Sequence, residues 1–279
     1  MNKNILLLSD FSKNSWKAIE YATVILEKFP CNFFVLNTYN IEHFGLSGNY
    51  TLDPDRSFNS LAERSSLQGL GHILMKATFE LKNPNHQFHV ISRPGPLLQT
   101  VDALVGELDI ELIVMGAKGI GNKTEGKYGR NAHKLMHHIS NCAVLVIPEE
   151  CIPITGRDIL TYADNHAAGN SGQLKILIDI ASVQNANIHI CNPRLNGRFR
   201  VSVKRQQVKL RRQFSGVDHC FLQPGDPGLM NNANEIHNGW AMVSFVLRMP
   251  RLWSFFGFAP SFGNKLVQAE ACPLLVLHE

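Results

Sequence analysis

Short apolar runs separated by amphipathic stretches recur along the whole chain. The first runs from Ile5 to Leu8 and the second from Phe33 to Leu36. Between them, residues at helical spacing place their apolar side chains near one face of a helix: Trp16, Ile19, Ala22, Thr23 and Leu26. Strands that are apolar throughout, rather than alternating, are buried on both faces. The pattern therefore predicts a parallel sheet covered by helices on both sides.

The same order of elements occurs a second time, beginning near Asp158. Each copy opens with an apolar strand that ends in an acidic residue, Asp10 or Asp164, and each closes with a strand, Ala143–Ile147 or Leu274–Leu277. Right-handed crossovers make such an alternation doubly wound. We expect an α/β fold of two tandem doubly wound, Rossmann-like units, each with a five-stranded parallel sheet flanked by helices. The two closing strands could lie edge to edge.

The boundary between the two copies is expected near Cys151–Gly156, where Pro148, Pro153 and a glycine interrupt the pattern. A chain of 279 residues is long enough for two domains. We therefore expect domains at residues 1–150 and 151–279, the second a degenerate copy of the first.

Composition excludes several classes of protein. With 44% hydrophobic and 18% charged residues the chain is typical of globular proteins, and its net charge of +4 does not by itself indicate nucleic acid. No apolar run reaches the roughly 20 residues that span a bilayer, and we expect neither a membrane partner nor a cleaved leader. The expected location is the cytoplasm, where six scattered cysteines would be reduced thiols.

A glycine-rich stretch, "GAKGIGNKTEGKYGRNAHKL" from Gly116 to Leu135, carries the strongest functional signal. It does not fit a Walker-type phosphate loop, because Tyr128 stands where that motif needs Ser or Thr and because the stretch follows the fourth strand. Two interpretations remain. The glycines could cradle phosphate beside a helix that begins near Arg130, or they could only allow a long loop to turn.

Several segments resemble the universal stress protein (UspA-like) family: "ILLLSDFSKNSWKAIEYA", "PGPLLQTVDAL", "ELIVMGAKG" and "GRNAHKLMHHISNCAVLVIP". The resemblance covers essentially all of residues 1–148 and continues, much eroded, to residue 279, which implies a tandem-domain member. In the ATP-binding branch of the family a glycine, two residues, a glycine, nine residues and a glycine precede Ser or Thr. Gly116, Gly119 and Gly129 match that spacing.

The resemblance implies a site for ATP or another adenine nucleotide, with or without Mg²⁺, in the first domain. Asp10 would lie near the adenosine, Thr38 would line the adenine, and Met115 and Gly116 would approach the ribose and phosphates. The residues around the phosphate chain would be Gly119, Gly129, Arg130 and Asn131.

Arg130 departs from the family pattern, because it stands where the family has a hydroxyl. Its guanidinium could pair with phosphate, which arginine does well. Alternatively, its bulk could fill the phosphate pocket and leave a nucleotide-free scaffold or interaction protein.

The second copy has lost the glycine loop. Phe245 stands about where Gly116 stands in the first copy, and a cluster of large aromatic side chains occupies residues 253–258. Bulky rings do not let a phosphate approach the backbone, so we expect no nucleotide there. The cluster is expected to be core or interdomain packing rather than an exposed patch.

No catalytic set is apparent in the sequence, so we expect a binding protein rather than an enzyme, with slow ATP hydrolysis as the enzymatic alternative. His133 and His137 share a helix face but lack further metal ligands nearby. The basic stretch 198–212 has seven basic residues and no acidic one, and we interpret it as a solvated surface rather than a nucleic-acid site.

The sequence thus favours a regulatory role in a stress response, with nucleotide occupancy read by an unknown protein partner. The two domains would form an intrachain pseudo-dimer, and two chains could associate further.

Overall fold

Ten strands and five helices lie in the part of the chain that the structure, a computed structural model, describes. That part is residues 2–39, 54–119, 128–151, 158–163, 171–191, 208, 210–222, 240–247 and 272–278. The first half has the order β1 (Lys3–Leu8), α1 (Lys13–Ile25), β2 (Cys31–Tyr39), α2 (Pro54–Glu80), β3 (His86–Pro94), α3 (Leu97–Glu107), β4 (Leu112–Gly116), α4 (Arg130–His138) and β5 (Ala143–Ile147). The second half has β6 (Ile159–Ala163), α5 (Ser171–Gln184), β7 (Ile188–Cys191), β8 (His219–Leu222), β9 (Met242–Leu247) and β10 (Leu274–His278).

All ten strands form one sheet, in the order β3-β2-β1-β4-β5-β10-β9-β6-β7-β8. Strands within each half are parallel, as the apolar strand pattern predicted. The order in the second half mirrors that in the first, so each half is a doubly wound α/β layer. The predicted fold class is confirmed, with the two five-stranded sheets joined into one.

The two halves join through their closing strands, which pair antiparallel. Leu275 lies opposite Leu145, Leu274 opposite Val146, and Val276 opposite Val144. Leu145 and Leu275 hold equivalent places in the two copies, so this register is symmetric about that pair. A self-complementary contact of this kind has the pattern of a two-fold interface. The expected edge-to-edge pairing of these strands is confirmed.

Each face of the sheet carries its own core, because successive strand residues point to opposite faces. Ile5 and Leu7 pack with buried residues of α1, α2 and α5 on one face. Leu6 and Leu8 pack with buried residues of α3 and α4 on the other. Both cores continue from the first half into the second, so the halves share apolar packing as well as a strand pair.

Polar contacts also cross between the halves. Lys3 Nζ lies 2.7 Å from Asp179 Oδ2 on α5 and 3.3 Å from Glu111 Oε2. From the same helix, the Gln173 amide donates to the Ser140 carbonyl of the first half at 3.0 Å, and its oxygen accepts from the His278 backbone N–H of the second half at 2.6 Å. The contacts of Asp179 and Gln173 therefore tie α5 to the first half, and Gln173 also joins α5 to β10.

Local sequence explains where the helices begin. Ser12 caps α1, since its side-chain oxygen accepts from the Ser15 N–H at 3.0 Å. The polar, turn-rich sequence of residues 43–60 predicts a connection ahead of a helix that starts near Leu61, and the structure shows that this bound is wrong. The helix α2 already begins at Pro54, a residue whose fixed φ suits a first helical position.

Several predicted features lie outside the described residues: Asp164, the boundary residues 152–157, the aromatic segment 253–258 and most of the basic segment 198–212. Their roles stay predictions. In the part of the chain covered by the structure, no helix is both long and apolar enough to cross a bilayer.

Candidate functional site

A cavity of about 790 Å³ opens at the carboxyl ends of β1, β2 and β4. This is where the strand order of the first half reverses, between β1 and β4, and ligands of open α/β sheets bind at that point. Eighteen residues line it: Leu8, Ser9, Asp10, Ser15, Leu36, Asn37, Thr38, Leu97, Met115, Gly116, Ala117, Lys118, Gly119, Gly129, Arg130, Asn131, Ala132 and Lys134. All eight residues that the sequence indicated are among them, although they come from four separate parts of the chain.

The loop between β1 and α1 places Asp10 on the rim of this cavity. Asp10 Oδ1 accepts from the Ser12 N–H at 3.1 Å, and the Phe11 N–H donates to Ser9 Oγ at 3.1 Å. Phe11 has a φ of 67°, a left-handed conformation that is rare for a bulky residue. Backbone strain of this kind persists only where its surroundings hold it, and it is found most often at binding sites.

Two glycines allow the chain to pass close to neighbouring side chains. A Cβ at Gly116 would lie 2.9 Å from the Asn14 side chain, whose amide donates to the Lys118 carbonyl at 3.1 Å. A Cβ at Gly119 would lie 2.5 Å from Asp10 Oδ2. Neither approach is compatible with a larger residue unless a neighbour moves. At Gly116 the Asn14 backbone is also close, so glycine is required for a steric reason, whereas at Gly119 only the end of the Asp10 side chain would have to move.

Gly129 places the start of α4 against the end of β4. Its N–H donates to the Ala117 carbonyl at 2.7 Å, and it precedes the helix in an extended conformation. No side chain caps α4, and its first turn contains no acidic residue. The positive end of the helix dipole therefore faces the cavity without a capping side chain or an acidic residue in the first turn of α4.

Cationic side chains surround the same end of the cavity. Arg130 and Lys134 lie one turn apart on α4, Lys118 follows β4, and Asp10 is the one carboxylate among the described lining residues. Arg130 is exposed and lies at the wall of the cavity. The arrangement favours an anion at the start of α4.

The strand ends contribute a less polar part of the lining. Leu8, Leu36 and Met115 line the cavity at the ends of three neighbouring strands, with Leu97 from the start of α3. Thr38 and Asn37 lie at the end of β2, and the Asn37 amide donates to the Ser9 carbonyl at 2.8 Å. A ligand with a flat apolar part and an anionic tail would match both parts of the lining.

Sequence reasoning missed several lining residues. Lys118 lies inside the glycine motif, and Lys134 lies four residues after Arg130, so a search for cations on the same helix face would have found Lys134. Asn37 gave no signal, because its side chain contacts Ser9, which is distant in sequence. Ser15 contacts only nearby residues, Ser9 and Ser12, and a serine in the first turn of a helix is not by itself a sign of a binding site.

The equivalent position in the second half contains a buried valine. Gly116 pairs with Ile147 in the first half, and Val246 pairs with Leu277, the counterpart of Ile147, in the second. The predicted counterpart, Phe245, is therefore wrong by one residue, because an alignment by eye does not fix strand register. Val246 is buried in the core.

His133 and His137, which share a face of α4, were the candidates for metal binding in the sequence. Among the residues that the structure describes, no group of three or more His, Cys, Asp or Glu side chains could hold a metal ion. His138 Nδ1 lies 2.8 Å from the Lys134 carbonyl. Burial and the neighbouring His137 lower the pKa of His133.

Several solved structures match the fold over nearly the whole length of this chain. A universal stress protein from Archaeoglobus fulgidus DSM 4304 matches with a TM-score of 0.64 at 15% identity, covering 99% of this chain and 98% of that one. A putative universal stress protein from Pseudomonas aeruginosa UCBPP-PA14 matches with a TM-score of 0.53 at 14% identity, covering 99% and 93%. The cytoplasmic domain of a prokaryotic cation chloride cotransporter matches with a TM-score of 0.56 at 11% identity, covering 100% and 96%.

A comparison with curated proteins returns no match. The structural likenesses, all under 25% identity, show the shared fold. The sequence model of the universal stress protein family matches residues 1–148, which is more than half of the chain and includes every residue of the predicted site. The chain therefore belongs to the universal stress protein family.

Proposed function

We propose that the first half binds ATP or a related adenine nucleotide in the cavity at the ends of β1, β2 and β4. The observation that carries the proposal is the start of α4. An uncapped helix N-terminus, two cations on its first two turns and a close-packed glycine loop converge on one end of a cavity. Nucleotide phosphates match that combination of dipole, charge and exposed backbone.

The two parts of the cavity lining suggest how the nucleotide would lie. The base would pack near Leu36 and Thr38, and Met115 and Gly116 would approach the ribose and phosphates. The ribose would lie near Asp10, whose carboxylate can accept hydrogen bonds from hydroxyl groups. The phosphates would then reach Gly119, Gly129 and Asn131, with or without Mg²⁺.

The position of Arg130 favours phosphate pairing over blockage. Its side chain is exposed at the cavity wall, and a cavity of about 790 Å³ remains beside it. Arginine can bind phosphate through two parallel hydrogen bonds, which a hydroxyl cannot do.

We propose a regulatory role in a stress response, in the cytoplasm, rather than catalysis. Asp10 is the one carboxylate among the described lining residues, and a single acid with a glycine loop suits binding better than hydrolysis. Domains at residues 1–150 and 151–279 would form an intrachain pseudo-dimer, supported by the symmetric pairing of Leu145 with Leu275.

The helix α4 offers a path from the nucleotide to the second half. Its first turn lines the cavity, and the carbonyl of Met136 in its last turn accepts a hydrogen bond from His278 Nε2 at 3.1 Å. A carbonyl only accepts, so that ring nitrogen carries the proton. Ordering of α4 by phosphate would change the surface that a protein partner contacts.

The direct test is thermal unfolding of the purified protein with ATP, ADP and AMP. A nucleotide at 100 times its Kd should raise the free energy of unfolding by about 2.7 kcal/mol. Mass spectrometry of the denatured protein would identify any nucleotide that purifies with it. No shift with any of the three at millimolar concentration would contradict the proposal.

Arg130→Ala separates the two roles of that residue. If Arg130 pairs with phosphate, the variant should bind nucleotide roughly tenfold more weakly or worse. If Arg130 blocks the cavity, the wild type should not bind and the variant should. Lys28→Ala, which removes an exposed cation at the far end of α1, should change neither result.

A further inference from the structure

A cysteine on β8, a histidine on β7 and an aspartate just before β6 lie in contact, far in the sheet order from the cavity of the first half. Cys220 Sγ lies 3.1 Å from His189 Nδ1. His189 Nε2 lies 2.9 Å from Asp158 Oδ2, close enough for an ion pair. The angle between the two groups does not fit a hydrogen bond. His189 lies 31 positions after Asp158, and Cys220 lies 31 positions after His189. None of the family motifs quoted above includes these residues.

The register of the parallel strands produces this contact. His189 on β7 lies directly opposite Cys220 on β8. Asp158 immediately precedes β6, and its Oδ1 accepts from the Asn187 amide at 3.1 Å. The Trp240 ring lies edge-on to the imidazole, with their centroids 4.9 Å apart. The imidazole is therefore held from three sides.

Cys220 differs from the other five cysteines in its surroundings. It is exposed on β8, the edge strand of the sheet, whereas the others are buried. Burial raises the pKa of Cys31, Cys142, Cys151 and Cys272 to about 12 and that of Cys191 to about 11. A thiol must lose its proton to act as a nucleophile, so burial disfavours the reactive form of these five cysteines.

We propose that Cys220 is a reactive thiol, activated by His189, that undergoes exchange with small-molecule disulfides. Asp158 beside Nε2 favours the tautomer with its proton on Nε2, which leaves Nδ1 able to accept the proton of the thiol. Asp158 is a positioning residue in this scheme, because it acts on the thiol through His189.

The exchange is balanced by the groups present and one small disulfide. His189 Nδ1 takes the proton from Cys220 Sγ, and the thiolate attacks one sulfur of the disulfide. The S–S bond of the small molecule breaks, and a mixed disulfide forms on Cys220. The other sulfur leaves with the electron pair and receives the proton from the imidazolium. The Cys220 sulfur is oxidised and the small disulfide is reduced to one thiol.

The test measures the rate at which native protein releases coloured thione from dithiodipyridine, a neutral aromatic disulfide. We expect one fast equivalent per chain, mapped by peptide mass spectrometry to Cys220 and absent from Cys220→Ser. His189→Gln keeps the thiol exposed and should slow the fast phase roughly tenfold, since an ordinary thiol is only a few per cent ionised near pH 7. Circular dichroism and thermal unfolding of each variant show that it is folded.

Nitrogen NMR of the His189 ring tests the role of Asp158. The wild type should show the proton on Nε2, and Asp158→Asn should shift the ring toward the other tautomer. The proposal is overturned if the fast thiol is not Cys220, or if His189→Gln reacts within about twofold of the wild type. An unchanged rate would mean that Cys220 reacts only because it is exposed.

Discussion

The carboxyl edges of the two halves have the same strand order but differ at one position that controls access to the backbone. In the first half Gly116 leaves room for Asn14, which fixes the start of the glycine loop through the Lys118 carbonyl. In the second half the same register position holds Val246, buried in the core. Under the proposed function, the fold alone does not make a nucleotide site, and the absence of a side chain at a few positions is what would provide it.

If the second half mainly stabilises the first, breaking a contact between the two halves should lower the free energy of unfolding. Burial disfavours the charged form of Lys3, but its hydrogen bond and charge contacts with Asp179 and Glu111 outweigh that effect and raise its pKa. Lys3→Met leaves the largely buried Asp179 without its cation, which should lower the free energy of unfolding by about 3 kcal/mol or more.

Chemical denaturation measures this loss, and Arg93→Met is its control. Arg93 pairs with Glu107 at 3.9 Å, and both side chains are more than half exposed, so its loss should cost less than about 1 kcal/mol. Lys3 lies at the opposite edge of the sheet from the cavity, so the nucleotide-induced rise in melting temperature should persist. Loss of that rise in Lys3→Met would mean that the second half is needed for binding.

Gly116→Val gives the first half the residue that the second half has at the equivalent position, Val246. The new side chain would overlap Asn14, so we expect a loss of about 1–3 kcal/mol in stability and no nucleotide-induced thermal shift. Gly106→Val is the matched control, because a Cβ at Gly106 meets nothing within 4 Å. Retained nucleotide binding in a folded Gly116→Val protein would show that this position does not explain the difference between the halves.

Gly119→Ala changes the loop without entering the core. The added methyl would displace the Asp10 carboxylate, which is the end of a side chain and can move. We expect nearly unchanged stability and roughly tenfold weaker nucleotide binding by calorimetry, equivalent to about 1.4 kcal/mol. Gly71→Ala serves as the control, because a Cβ added at Gly71 would meet no other side chain or distant backbone atom within 4 Å. Equal nucleotide affinities of Gly119→Ala and Gly71→Ala would show that Asp10 does not contribute to binding.

The smallest expected effect is a dependence of stability on pH at the junction of the halves. Burial lowers the pKa of His278 below 6.5, opposed by its bond to Met136 and reinforced by His137. The folded protein then binds fewer protons than the unfolded chain, so stability should fall as pH decreases below about 6.5.

Urea denaturation at about pH 7.5 and about pH 5.5 should show this fall, and His278→Gln should reduce it. Burial lowers the pKa of His86 and His133 as well, so part of the slope should remain in the variant. An identical dependence of stability on pH in the wild type and His278→Gln would show that His278 does not cause it.

Much of the first half could be predicted because its signals are local. Apolar runs located β1, β4 and β5, and Gly129 followed by polar residues located the start of α4. The early start of α2 was missed, since a proline at a helix start also fits a loop. The register error at Val246 arose because register is set by hydrogen bonds between strands, which a single sequence does not record.

The sequence by itself determined the repeated α/β order, the glycine positions and the family, because these depend on residue type and spacing along the chain. The tertiary structure decided which side chains meet. It joined the halves through Leu145 and Leu275, and it brought Cys220 to His189 across two parallel strands. Contacts of that kind depend on strand order and register, which arise only when the whole sheet assembles.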